Sequence, residues 1–241
     1  MLPEDAARAS AGTVAQLPAG FMFDAATYAE GGRLGFEGVD FYYAGRGGAL
    51  GDVDGAVVAA TFVFFHPAAV AAGWDRSRAV MGRAEANAAF CRCLAAWAED
   101  HLVEGMDWGR LAVLADRVLA AASPAAAPLF VAWRALPEPA EPRALALHRL
   151  DVLRELRGAV HGAAVLASGL EPLEAVLVRA PFMAGILGWP EPYPDVTLCR
   201  AAWEGAEAAT DRVLARPYAA LEAAELDEFV DLLAQAQASA T

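Results

Sequence analysis

Apolar positions recur at helical spacing through almost the whole chain, and the run that organises the rest is Ala144 to Gly169. At about 100° per residue, Val152, Leu153, Leu156, Val160, Ala163 and Ala164 fall on one apolar arc. Arg154, Arg157 and His161 share a second arc of about 60°, so their side chains lie along one edge. His148, Asp151 and Glu155 occupy a third arc together with Gly158 and Gly162. The Gly-x-x-x-Gly spacing predicts close approach by another backbone. Little of this segment is an ordinary wet face.

The flanking chain divides into further helical stretches: Pro3–Gln16, Phe21–Gly31, Asp75–Val103, Trp108–Ala122 and Ala125–Leu136 before the long run, then Glu171–Val178, Val196–Ala215 and Ala219–Gln237 after it. Asp52–Phe65 starts like a capped helix, yet its Val-Val-Ala-Ala-Thr-Phe-Val-Phe-Phe run suits a strand equally well. Gly45–Gly51 reads as a helix end and turn, because no strand–Gly-x-Gly-x-x-Gly–helix unit surrounds it. The expected fold is all-α: about ten helices packed as a globular bundle around one central helix, 144–169. A single domain over 1–241 is the simplest organisation. The Pro-rich segment 136–143 would also serve as a linker between two lobes, 1–135 and 144–241.

Composition narrows the chemistry. The hydrophobic share is 57%, much of it alanine, which favours helix more than it drives burial. Every one of the 18 basic residues is arginine, which removes lysine Schiff-base chemistry. The formal charge of −13 works against a nucleic-acid partner, since phosphate binding needs a basic footprint. Cys91, Cys93 and Cys199 form no Cys-x-x-Cys pair and are expected as free thiols in a reducing compartment. Glu4 and Asp5 stand where a signal peptide would be basic, so a cytoplasmic location is expected. Gly55–Trp74 is long enough to cross a bilayer, but His66-Pro67 at its centre predicts a buried helix pair and no membrane partner.

The strongest constellation is His161 with Arg154 and Arg157, plus Glu155 on the neighbouring arc. An imidazole is a general acid or base near neutral pH, and arginine forks bind carboxylates or developing anions. These four are the candidate catalytic residues. An aromatic-lined cleft between Phe36–Tyr43 and Phe62–His66 would complete the site, with Tyr43, Phe62, Phe65, His66 and His148 as ligand-binding candidates. The competing reading is a buried arginine–carboxylate network that positions helices, with His161 satisfied inside the core. His148, Asp151 and Glu155 put three metal-ligand types on one stripe. Their ends lie about 10 Å apart by helical rise, too far to share an ion. No metal and no cofactor are expected. There is also no Gly-x-Ser-x-Gly, and no cysteine has an adjacent histidine.

The motif formed by His148, Arg154, Glu155, Arg157, Gly158 and His161, and the small-residue run after it, resemble a largely uncharacterised actinobacterial family. Tyr42–Gly51, Ala60–Val70 and Thr210–Leu221 match it in order. Members are helical and often labelled helix-turn-helix or MarR-like, which tips Val57–Phe65 toward helix. Longer members carry a winged-helix reader where this chain has only the Pro/Gly-rich Gly185–Pro194. The His/Arg cluster in its aromatic-lined cleft, taken with this resemblance, points to a small-molecule binder or cofactor-independent acid/base enzyme of actinobacterial specialised metabolism. The alternative it implies is a ligand-responsive regulatory or accessory protein that no longer reads DNA. In either case the expected partner is a small molecule, with a homodimer left open.

Overall fold

The computed structural model describes residues 1–240, which contain helices and turns and no strand. In chain order the helices are α1 (Pro3–Gln16), α2 (Ala19–Met22), α3 (Ala25–Leu34), α4 (Asp40–Gly47), α5 (Gly55–Thr61), α6 (Pro67–Ser77) and α7 (Arg83–His101). They continue with α8 (Trp108–Ala121), α9 (Pro128–Arg134), α10 (Pro142–Ala167), α11 (Pro172–Arg179), α12 (Met183–Ile186), α13 (Arg200–Tyr218) and α14 (Ala223–Ser239). Proline occupies the first turn of α1, α6, α9, α10 and α11, where its missing N–H costs no helical hydrogen bond. Asp24, Asp107 and Glu141 cap α3, α8 and α10 by accepting from free backbone N–H groups at 2.7–2.8 Å.

The central helix α10 packs against α1, α7, α8, α9 and α13. Helix stripes normally leave one face to water, but α10 buries residues on every side, from Ala144 and Leu147 through Asp151, Val152 and Glu155 to His161 and Val165. One connected apolar core runs from Ala6 to Ala236. A small satellite of Val165, Leu170, Ala175 and Ala206 fills the corner between the end of α10, α11 and the start of α13. No single helix is long and apolar enough to cross a membrane.

Several expected elements differ in detail. Asp75–Val103 is two helices rather than one, with the break at 78–82. Arg83, the first residue of α7, reaches back to α6: its guanidinium donates to the Trp74 carbonyl at 2.7 Å and to Ser77 Oγ at 2.6 Å, and lies 3.5 Å from the Trp74 ring. These contacts hold the two helices at an angle that periodicity cannot reveal. Phe21–Gly31 is likewise split, because the Asp24 carboxylate starts a new helix. Val57–Phe65 is helical only to Thr61 and then turns.

Gly45–Gly51 is the end of helix α4 and a 3-10 turn, as expected from its glycines. Its glycines serve approach: a Cβ on Gly45 would sit 2.5 Å from Phe90, and one on Gly48 would sit 2.5 Å from the Arg83 carbonyl oxygen. The Gly158/Gly162 pair behaves asymmetrically. A Cβ on Gly162 would meet the Val63 side chain at 2.9 Å, whereas nothing lies within 4 Å of one on Gly158. The neighbour is a side chain, not a second backbone.

Candidate functional site: two polar networks on the central helix

The polar residues of α10 separate into two networks. The first faces α4. Arg46 donates from Nε and Nη2 to the two oxygens of Glu155 at 2.7 and 2.8 Å, and Arg154 Nη1 adds a 3.1 Å contact to Glu155 Oε1. Arg46 also donates to Tyr42 Oη at 3.1 Å, and its guanidinium lies 4.3 Å from the Phe62 ring centre. Burial alone would raise the Glu155 pKa, but the charge and hydrogen bonds of Arg46 outweigh it and hold this carboxylate below its usual range.

Asp151 stands one turn before Glu155 and is fully buried, with neither carboxylate oxygen hydrogen-bonded. Arg154 approaches it only to 3.9 Å. Burial, and then the negative charge of Glu155, push its pKa up to about 7. Asp151 in turn adds to the burial that drives the Cys91 thiol up to about 12, so this thiol is inert toward thiolate chemistry. His148, one turn earlier, is 2% exposed with Nε2 unpaired, and burial draws its pKa down to about 4.

The second network faces α13 and α1. His161 and Arg157 meet Glu207, Thr210 and Asp211 of α13, and Arg8 comes from α1. Arg157 Nη2 donates to Glu207 Oε2 at 2.6 Å, and Arg8 Nε lies 3.3 Å from Asp211 Oδ2. The Thr210 hydroxyl gives its single proton to the Ala206 carbonyl at 2.8 Å, so it accepts from His161 Nδ1 at 3.0 Å. That assigns the proton of neutral His161 to Nδ1. The Nε2 lone pair is then left facing Glu207 Oε1 at 3.6 Å, acceptor against acceptor. Burial, opposed by Glu207, lowers the imidazole pKa to about 4. Two buried polar atoms here, Arg157 Nε and Asp211 Oδ1, have no partner among the described residues.

The four catalytic candidates are thus divided between the two networks: Arg154 and Glu155 belong with Arg46, and Arg157 and His161 belong with Glu207. The aromatic candidates do not line an open cleft. Tyr42, Tyr43, Phe62 and Phe65 pack on one another with ring centres 5.3–6.1 Å apart, as buried core beside Arg46. A surface groove of about 250 Å³ lies instead between α3 and α7, where Trp97 stacks on His101. His66 starts α6, donates its backbone N–H to the Leu187 carbonyl and meets the Trp189 ring. From that segment it is Phe64 that reaches His161, with ring centres 5.5 Å apart.

Sequence reasoning missed Arg46 and the α13 residues. Arg46 was hidden in a glycine-rich stretch that reads as a turn. Glu207, Thr210 and Asp211 share one face of α13 by their i, i+3, i+4 spacing, a detectable signal, but nothing in the pattern joins that face to His161. A family model described as a helix-turn-helix family matches residues 7–197. The chain belongs to the helix-turn-helix family. Neither a curated protein nor a solved structure matches it. Within this member of the helix-turn-helix family, the match ends just before α13, so Glu207, Thr210 and Asp211 lie beyond the matched residues.

Proposed function

We propose that this chain is a small-molecule-binding regulatory or accessory protein of the helix-turn-helix family that does not itself read duplex DNA. The observation that carries the reading is the unmatched polarity around His161. Arg157 Nε and Asp211 Oδ1 are buried without partners, where unsatisfied polar atoms are costly, and His161 Nε2 beside them meets only Glu207 Oε1, at 3.6 Å. A ligand placing an O–H or N–H donor between His161 and Glu207, and an acceptor on Arg157, supplies what is missing. The surface argues against a DNA reader. Only Arg92, Arg134, Arg179, Arg200, Arg212 and Arg216 lack a carboxylate within ion-pair distance among the described residues, and the other arginines are each neutralised by one. With a formal charge of −13, no extended basic footprint remains. A cytoplasmic protein with neither nucleic-acid nor membrane partner follows from the same reading.

Native mass spectrometry of protein purified from its own host tests the ligand. A retained small molecule that is lost in His161→Ala and Arg157→Ala, with the helical spectrum intact, is the expected result. Apo protein under every condition, together with a sequence-dependent gel shift on its own upstream DNA, would overturn the reading. A second reading, a cofactor-independent acid/base enzyme, is favoured by one feature: a neutral His161 of fixed tautomer offers Nε2 as a base. Turnover abolished in His161→Ala would establish it.

A further inference from the structure

The surface groove between α3 and α7 shares no residue with the His161 network. Its volume of about 250 Å³ is just under the usual range for small-molecule sites, ~300–1,000 Å³. Three contacts fix how the two helices face each other. Asp24 Oδ2 stands 3.9 Å from His101 Nε2, the Thr27 hydroxyl meets the Cys93 thiol, and the Glu30 carboxylate feels the charge of Arg92. The helices therefore run antiparallel along the groove, with an Asp24/His101 end, a Thr27/Cys93 floor and an Arg92 end.

Both ends carry polarity that the protein leaves unmet. At the first, the Trp97 carbonyl can only accept, so His101 Nδ1 donates to it at 3.1 Å and the neutral imidazole keeps its lone pair on Nε2. That lone pair faces Asp24 Oδ2 acceptor against acceptor, while Asp24 Oδ1 is occupied in capping α3 at the Ala26 N–H. The Asp100 carboxylate lines the same end and has no cationic partner among the described residues. This end lacks a donor with several protons. At the other end Arg33 takes both Glu30 oxygens at 2.7 Å, which leaves Arg92 with no carboxylate in ion-pair distance among the described residues. Trp97 adds a second free donor. The indoles of Trp74, Trp108, Trp133 and Trp189 each donate to a backbone carbonyl. Trp97, only 9% exposed, lines the groove between Arg92 and His101 and has no acceptor for its Nε1–H among the described residues. Unlike the Trp203 nitrogen, it is not sealed from solvent, and the opening beside it is the groove.

We propose that this groove binds a small amino-acid-like zwitterion, its ammonium held by His101 Nε2, Asp24 and Asp100 and its carboxylate by Arg92 and the Trp97 indole N–H. A simple amine would leave the two donors unmet, and a simple carboxylate would face the acidic end with like charge. An ammonium brings three donors to three acceptors, and hydrogen bonds between charged groups are the strong ones. Ala26, Ala89 and Ala96 give the carbon chain between the two ends an apolar lining. The site is separate from the His161 network, and neither reading depends on the other.

Isothermal titration calorimetry of the full chain with a zwitterion series from glycine to 6-aminohexanoate, beside butylamine and butyrate, tests this. At least one member of the series is expected to bind with a Kd below about 1 mM, and at least about tenfold tighter than the amine or the carboxylate. Arg92→Gln should erase the advantage over butylamine, with the far-UV helical spectrum unchanged. Asp100→Asn should erase the advantage over butyrate, as should Asp24→Asn, in which the amide side chain still caps α3. His161→Ala should leave the groove's affinity as it is, and a loss there would overturn the separation of the two sites. No saturable binding across the series overturns the proposal, as does equal binding by the wild type and Arg92→Gln. Butylamine binding as tightly as the zwitterions would overturn it in favour of a plain cation site.

Discussion

Arg46 and Glu155, 109 residues apart in sequence, form a two-pronged ion pair in the interior, with each guanidinium nitrogen under 3 Å from its oxygen. It fastens α4 to the central helix at the point where Phe62 and Tyr42 exclude water from the guanidinium. A pair this buried adds little to stability compared with an apolar pair of similar volume, but breaking one side of it strands a charge.

Arg46→Met is therefore expected to destabilise the chain by about 3–5 kcal/mol, leaving Glu155 with Arg154 alone. Glu155→Leu should cost a similar amount. The double variant Arg46→Met/Glu155→Leu should recover most of the loss, because neither member of the buried pair is left as a stranded charge and the part-exposed Arg154 keeps access to water. Urea unfolding of the four proteins reads this directly. Additive losses in the double variant would show that the pair is not the joint.

Asp151 and the two α10 histidines should impose opposite pH dependences. The folded Asp151 holds its proton up to about pH 7, against an ordinary value of 3.8. Its contribution is full below pH 4 and is lost as pH rises through 7. His148 and His161 drop from 6.5 to about 4, so their contribution is full above pH 6.5 and is lost as pH falls toward 4. Between pH 4 and 7, Asp151→Asn should make stability climb with pH more steeply than in the wild type, by up to about 1.4 kcal/mol per pH unit. His148→Gln and His161→Gln should each tilt the slope the other way between pH 4 and 6.5. Unfolding free energies taken at half-unit pH steps decide it, and an unchanged slope in Asp151→Asn would refute the raised pKa.

Two glycines in helices should respond with opposite signs. Gly45→Ala drives a methyl into Phe90, at 2.5 Å, and is expected to cost about 1–3 kcal/mol. Gly158→Ala meets nothing within 4 Å on the central helix and should stabilise by about 0.5–1 kcal/mol through backbone entropy alone. Thermal melts of the two variants beside the wild type are sufficient. A stabilising Gly45→Ala would mean that α4 sits further from α7 than described.

The all-α class and the central helix were legible in the residues themselves. Alanine-rich segments at 3.6-residue spacing and prolines at first turns act within one turn of the chain, and local energetics of that kind survive folding. The same holds for the edges of α10: that Arg154, Arg157 and His161 lie along one side follows from helical geometry. What each edge meets is a different matter. Arg46 reaches Glu155 from 109 residues away, and Glu207 and Thr210 reach His161 from nearly 50, by way of helix packing that no local period encodes. The expected single cluster therefore became two, because Asp151 and Glu155 point toward α4 while Arg157 and His161 point toward α13. Tertiary structure also decided protonation. Asp151 and Glu155 are both carboxylates on one stripe of one helix; the hydrogen-bonded Arg46 guanidinium keeps Glu155 charged, whereas burial and then the Glu155 charge push Asp151 toward neutrality against the opposing pull of Arg154 and Arg46.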